Sequence, residues 1–217
     1  MGKKDWRTTY LKPSEVVLHY RPDDCWVSLL GVVKDLTPLI QEYRNTSLIK
    51  PLLAEAGKDI SHWFKEDGDI QTFVHPVTGA IMPYLPHGKI PHAEQSDFPD
   101  PDWMPSPQSP WWKDEKYNVG KLSKNIRPIR ILNILTQKEI MLNVCGEETI
   151  EQIRDRYLPF NSNAKSYTWK YYKKKLAMNK TLEENGIKDE KQRFRFLGLP
   201  EDLHTPCLML YYDDDYE

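Results

Sequence analysis

Long apolar runs, clustered glycines and closely spaced cysteines are all missing from this chain of 217 residues. No run of about 18 apolar residues occurs, so we expect no transmembrane helix, and the N-terminus lacks the apolar core of a secretory signal. Cys25, Cys145 and Cys207 lie too far apart for a disulfide framework or a Cys-x-x-Cys site. This use of cysteine favours a reducing, intracellular compartment.

The charges nearly balance, with 30 basic against 32 acidic residues. A dedicated nucleic-acid-binding protein usually has a basic excess, so we expect no nucleic-acid partner. The ten glycines form no phosphate-binding loop, and neither a nucleophile elbow nor a suggestive pair of carboxylates is present. The chain is therefore predicted not to be an enzyme and not to bind a membrane.

Residues 54–64 combine a histidine with two large aromatic residues, since His62 is followed directly by Trp63 and Phe64. An imidazole beside an apolar wall suits a flat apolar ligand with a metal centre, such as haem. The alternative is a core histidine that packs on tryptophan, which is the commoner arrangement.

The first 70 residues predict short helices around a pair of strands. Residues 25–30 are apolar enough for a buried strand, Gly31 breaks it, and Thr37 with Pro38 starts a helix as its N-cap and first residue. Residues 13–16, 21–28 and 35–37 resemble the opening of a cytochrome b5 domain, and residues 54–60 resemble the later Ala-Gly-x-Asp segment of that family. The resemblance implies a haem b that is held by two axial histidines.

Neither axial histidine of the family stands at its usual position in this chain. Residues 43–46 read Tyr-Arg-Asn-Thr in place of the His-Pro-Gly-Gly turn, and Asp69 replaces the second histidine after Gly68. If haem b is bound, we expect His62 as one ligand and His75 or His92 as the other. His75 also begins a His-Pro-x-x-Gly sequence that is typical of an ordinary surface turn. The candidate site thus comprises at most two ligands from three histidines, with two aromatics against the porphyrin: His62, His75, His92, Trp63 and Phe64.

Nine prolines fall between residues 76 and 110. Proline lacks an amide donor and fixes φ, so long helices and central strands are not expected there. Because Trp103, Trp111 and Trp112 make the stretch too apolar for a free linker, we predict an extended arm at residues 76–118. This arm would pack on the domains or on a partner.

The C-terminal part of the chain follows a β-grasp order of elements. The pattern predicts strands at 129–135, 140–145, 167–171, 176–178 and 207–211, with a helix headed by Thr149 and a one-turn helix at 181–187. This order resembles ubiquitin-like domains over residues 125–213. Residues 213–217 contain no Gly-Gly, so the resemblance implies a binding module rather than a conjugated modifier.

The sequence therefore predicts an α+β protein with a cytochrome b5-like domain (8–75), a proline-rich arm (76–118) and a ubiquitin-like β-grasp domain (119–217). This combination resembles a family of proteins from motile cilia that belong to the radial spokes of the axoneme. The resemblance implies a non-catalytic, haem-binding and redox-sensing protein of the cytoplasmic cytoskeleton that contributes to ciliary beating. Its partners would be radial spoke proteins, with tubulin as a further candidate.

The alternative is a haem-free structural adaptor that docks neighbouring axonemal proteins through both domains. In that case the basic residues Lys170, Lys173, Lys174 and Lys175 would contact an acidic surface by charge complementarity. A solvated basic turn is the competing interpretation of the same four residues.

Overall fold

The computed structural model describes residues 5–93 and 109–212 of a chain that divides into two compact units. Unit 1 is Met1–Leu122 and unit 2 is Ser123–Glu217. The predicted boundary at 118/119 needs correction, because residues 118–122 pair with strands of unit 1. The predicted α+β class is confirmed, since short helices accompany β-sheets in both units. Within the described ranges, no helix has both the length and the apolar character needed to traverse a bilayer.

Unit 1 is built on a five-stranded sheet and a separate two-stranded hairpin. Its strands are β1 (Tyr10–Leu11), β2 (Tyr20–Arg21), β3 (Asp24–Leu29), β4 (Val32–Asp35), β5 (Thr72–Val74), β6 (Ile81–Pro83) and β7 (Asn118–Leu122). Its helices are α1 (Pro13–Val16), α2 (Thr37–Glu42) and α3 (Lys50–Ala54), with 3₁₀ turns at Trp6–Thr8, Ser47–Ile49, Ser61–Trp63 and Glu115–Tyr117. The larger sheet has the order β1-β7-β4-β3-β2, and β5 pairs with β6.

The core of unit 1 lies between β3 and the two helices that follow the strand pair. Cys25, Val27 and Leu29 of β3 are buried with apolar residues of α2 and α3. Thr37 lies inside α2 rather than at its N-cap, because Asp35 Oδ1 already accepts a hydrogen bond from the Thr37 amide at 2.9 Å. The Thr37 hydroxyl instead accepts a hydrogen bond from the Cys25 amide at 3.0 Å and so connects α2 to β3.

The proline-rich stretch is not one extended arm where the structure describes it. Its first part contributes to the β5–β6 hairpin, and Ile90, Trp111 and Trp112 belong to the core of unit 1. Residues 94–108, including Trp103, lie outside the described residues.

Unit 2 has a five-stranded sheet with the β-grasp arrangement. Its elements are β8 (Ile126–Asn133), β9 (Lys138–Cys145), α4 (Ile150–Tyr157), β10 (Tyr167–Tyr171), β11 (Lys174–Lys175), α5 (Lys191–Phe196) and β12 (Cys207–Tyr212), with a 3₁₀ turn at Ala164–Ser166. The sheet order is β11-β10-β12-β8-β9, and the central strands β12 and β8 run parallel.

Short-range sequence patterns predict several elements of unit 2. The capping box of α4 is confirmed, since the Thr149 side chain accepts a hydrogen bond from the Gln152 amide and the Gln152 side-chain oxygen accepts one from the Thr149 amide. The predicted strand at 176–178 needs correction, because the residues that pair with β10 are Lys174 and Lys175. The helix α5 has no buried residue, so its sequence has no apolar periodicity from which a helix could be predicted.

Candidate functional site

The segment that contains Trp63 and Phe64 is fastened to the end of β3 by a carboxylate. Asp59 Oδ1 accepts hydrogen bonds from the hydroxyls of Ser28 and Ser61, both at 2.7 Å. The Ser61 hydroxyl in turn accepts the Leu30 amide at 2.8 Å. These bonds fix the start of the 3₁₀ turn Ser61–Trp63 and hence the direction of the aromatic side chains.

Gly57 lets this segment approach α1 closely. Its φ is +79°, and a Cβ placed there would lie 3.1 Å from the carbonyl oxygen of Val17. Any other residue would therefore meet both backbone strain and a contact tighter than most Cβ atoms make. The Ala-Gly-x-Asp sequence thus serves packing as well as the carboxylate contacts.

Trp63 and Phe64, the predicted wall of a haem pocket, are buried in the core of unit 1. Their exposed fractions are 1% and 3%. The ring of Phe64 lies 6.2 Å from that of Trp111 and 5.8 Å from that of Trp112, and the two tryptophans contact each other at 5.6 Å. We call Phe64, Trp111 and Trp112 the aromatic cluster.

Trp111 is the most firmly held member of the aromatic cluster. Its backbone amide donates to Nδ1 of His92 at 3.0 Å, and its indole Nε1–H donates to the carbonyl of Pro91 at 3.1 Å. Its side chain is fully buried. Residues 91–92 and 110–112 are thereby joined, although they are distant in sequence.

The three candidate histidine ligands contact different parts of unit 1. His62 is exposed and meets the edge of Trp63 at 6.0 Å. His75 accepts the amides of Val77 and Thr78 at Nδ1, both at 3.3 Å, so it stabilises its own turn. His92 uses Nδ1 for the Trp111 amide and lies 6.1 Å from the ring of Tyr43.

The positions that hold histidine ligands in the cytochrome b5 pattern have other contacts here. Tyr43 is partly buried and packs on the core. Asp69 pairs with Lys113, and its carbonyl accepts the Lys65 amide at 2.7 Å. These residues therefore connect parts of unit 1 to one another.

Lys34 is a buried cation that sequence reasoning missed. It is 4% exposed, and its Nζ donates to Asn118 Oδ1 at 2.7 Å and to the Asp114 carbonyl at 3.2 Å. Burial lowers the pKa of Lys34 from its usual 10.5 to about 8, against the opposing effect of Asp114 and Glu115. Its contacts hold the stretch before β7 against β4.

The buried thiol of unit 1, that of Cys25, has a raised pKa. Burial, with added repulsion from Asp35 and Asp24, raises the pKa of Cys25 to about 12. The thiol therefore stays protonated at neutral pH, whereas the reactive form of cysteine is the thiolate.

Comparison with known proteins identifies the family of this chain. No protein-family model matches the chain. Two proteins named cytochrome b5 domain-containing protein 1 are similar over nearly the whole chain. The one from Homo sapiens is 48% identical and aligns with 95% of this chain and 90% of its own length, and the one from Xenopus laevis is 47% identical over 96% of both. The chain belongs to the cytochrome b5 domain-containing protein 1 family.

A solved ubiquitin-like domain, from the polyubiquitin locus of T. thermophila, covers 41% of this chain and 95% of its own length. Its sequence identity is 17% and its TM-score is 0.32. The assignment of unit 2 to the β-grasp fold therefore rests on its own strand order.

Membership of the cytochrome b5 domain-containing protein 1 family implies haem as a cofactor. A haem pocket requires an aromatic wall that faces space for the porphyrin. Protein atoms instead cover Trp63 and Phe64 almost completely. The residues present do not fit a haem that is held by His62 between these two rings.

Proposed function

We propose that the chain is a non-catalytic, haem-free adaptor of the ciliary axoneme that binds radial spoke proteins. The observation that carries the haem-free part is the aromatic cluster, in which Trp111 and Trp112 pack against Phe64, one of the two residues predicted to face the porphyrin. The axonemal part rests on the resemblance of the whole two-module sequence to proteins of motile cilia. The names of the relatives specify only the cytochrome b5 domain.

Exposed apolar side chains on unit 1 support a role in protein binding. Phe73, Val74 and Ile81 of the β5–β6 hairpin are 42%, 64% and 46% exposed. Val74 and Ile81 are directly paired across the hairpin, and neighbouring apolar side chains on a protein surface often mark sites of protein–protein contact. The hairpin is thus a surface through which unit 1 would contact a neighbouring protein.

Binding of haem b is the second candidate function, and the family name favours it. Haem binding would use His62 with His75 or His92 as axial ligands. It would also require the protein atoms that now bury Trp63 or Phe64 to move away from that ring. Bis-histidine ligation supports electron transfer rather than oxygen chemistry. The two candidates differ in one measurable respect, which is whether partner binding depends on these histidines.

The double variant His62→Ala/His75→Ala should bind axonemes as strongly as the unchanged chain. His62 is exposed, and the hydrogen bonds of His75 go to the backbone of its own surface turn, so truncation of both should leave the core of unit 1 intact, and an adaptor has no need of haem ligands. Binding would be measured by co-sedimentation with axonemes from cells that lack the endogenous protein, with and without added haemin.

A Glu66→Ala variant, at an exposed position of the same unit, serves as the matched control. Loss of co-sedimentation in the histidine variant alone, with an unchanged circular dichroism spectrum, would support the haem-dependent function. Absence of binding by the unchanged chain would reject the axonemal adaptor.

A further inference from the structure

The edge strand of unit 2 carries a dense group of lysines. We call Lys170, Lys173, Lys174 and Lys175 the lysine edge. The last three are exposed, whereas Lys170 is half-buried with its Nζ 4.5 Å from the centre of the Tyr211 ring. The four cations lie within six consecutive residues, which contrasts with the nearly neutral charge of the whole chain.

In the part of the chain that the structure describes, the lysine edge has no close counter-charge. No carboxylate in the described ranges lies within 4.0 Å of any of its ammonium groups. Some exposed cations of unit 2 do have such partners, for example Arg195 with Glu201 at 2.7 Å. Lys170 and Lys175 are moreover directly paired across β10 and β11. Like charges at such a position repel each other, so an anionic ligand would relieve a repulsion that the fold contains.

The backbone of β11 offers a second means of recognition. This strand is the last in the sheet, and it pairs with β10 alone among the described strands. Edge strands present peptide groups to which an extended polypeptide can add as a further strand. Lysines on such an edge discourage neutral and apolar strands, while a strand with carboxylates would gain from them.

The turn before β11 presents an aromatic ring beside these lysines. Tyr172 has a φ of 51° and its side chain is 63% exposed. Its ring contacts that of Tyr171, with 4.5 Å between the ring centres. A partner peptide would therefore contact an apolar surface next to the cationic one. An aromatic side chain of this kind can anchor a bound peptide in addition to the charge contacts.

From these observations we propose that the lysine edge binds an extended peptide segment rich in glutamate or aspartate, which adds to β11 as a sixth strand. The inference rests on the proposed adaptor function and names the chemistry of one partner. A nucleic acid would satisfy the ammonium groups but has no peptide groups to pair with β11. It would also meet a chain with a net charge of −2.

The test uses the full chain and a fluorescent, glutamate-rich synthetic peptide, with binding measured by anisotropy. The variant Lys173→Gln/Lys174→Gln/Lys175→Gln should bind the peptide about tenfold more weakly, because three charge contacts are lost. The control variant Lys138→Gln/Lys165→Gln/Lys188→Gln removes three exposed lysines elsewhere in unit 2 and should change the affinity less than about twofold. A peptide with N-methylated alternate amides should bind more weakly than the unmodified one.

Three results would overturn the inference. The first is equal weakening by both triple variants. The second is equal binding of a single-stranded DNA oligonucleotide, which would show a general polyanion site. The third is peptide binding only after removal of residues 213–217, which would make the chain's own acidic end the occupant. The first triple variant could lose the peptide and still co-sediment with axonemes, and the adaptor function would then depend on other contacts. If the unchanged chain does not co-sediment with axonemes, the adaptor function itself is wrong.

Discussion

Replacing Trp111 with alanine should lower the free energy of unfolding of unit 1 by about 3–5 kcal/mol, the usual cost of truncating a large core aromatic. The side chain is fully buried between Phe64 and Trp112. Truncation would leave a cavity and would also remove the indole donor of the Pro91 carbonyl. An unpaired buried carbonyl adds its own cost to that of the cavity.

The measurement is urea denaturation of the full chain, with amide hydrogen exchange used to follow unit 1 separately. Phe73→Ala is the matched control, because it truncates an aromatic residue that is 42% exposed. The control should cost less than about 1 kcal/mol. A Trp111→Ala variant that unfolds at the same urea concentration as the control would contradict the structural role of the aromatic cluster.

Replacing Glu148 with alanine should destabilise unit 2 by about 3–5 kcal/mol, as expected when one member of a buried ion pair is removed. The Glu148 side chain is only 5% exposed, and it accepts Arg156 Nε–H at 2.7 Å and 2.8 Å. It also accepts the Cys145 amide at 3.0 Å. Its loss would leave the Arg156 charge, on a side chain that is 16% exposed, without this partner.

Glu151→Ala provides the control for this prediction on the same helix. Glu151 is 57% exposed and pairs with Arg154 at 2.9 Å, so its loss should cost less than about 1 kcal/mol. The double variant Glu148→Met/Arg156→Leu should recover part of the stability lost in Glu148→Ala, since neither charge of the pair then remains buried, while the Cys145 amide still lacks its acceptor. Equal denaturation midpoints for the two single variants would show that the pair is effectively solvated.

The features that the sequence could predict are those with local causes. The capping box at Thr149 depends on residues three apart, and the strands β3 and β8 follow from apolar patterns within a few residues. The β-grasp order could be predicted for the same reason. The pairing of β11 could not, because three consecutive lysines are typical of a solvated turn.

The features that the sequence could not predict depend on partners far away in the chain. Trp63 and Phe64 are residue types that suit a ligand-facing wall, and only the structure shows that both lie in the core, with Trp111 packed against Phe64. Lys34 looks like an ordinary exposed strand residue until Asn118 is placed beside it. The same return of the chain moves the domain boundary beyond 118, since β7 joins the sheet of unit 1.

The central claim is that unit 1 keeps a cytochrome b5-like fold without a haem site. The most direct test is an absorption spectrum of the purified chain with added haemin, oxidised and then reduced with dithionite. We predict the broad band of unbound haemin and no resolved α and β bands. A sharp Soret band with resolved α and β bands on reduction, lost in the His62→Ala variant, would contradict the claim and establish a histidine-ligated haem.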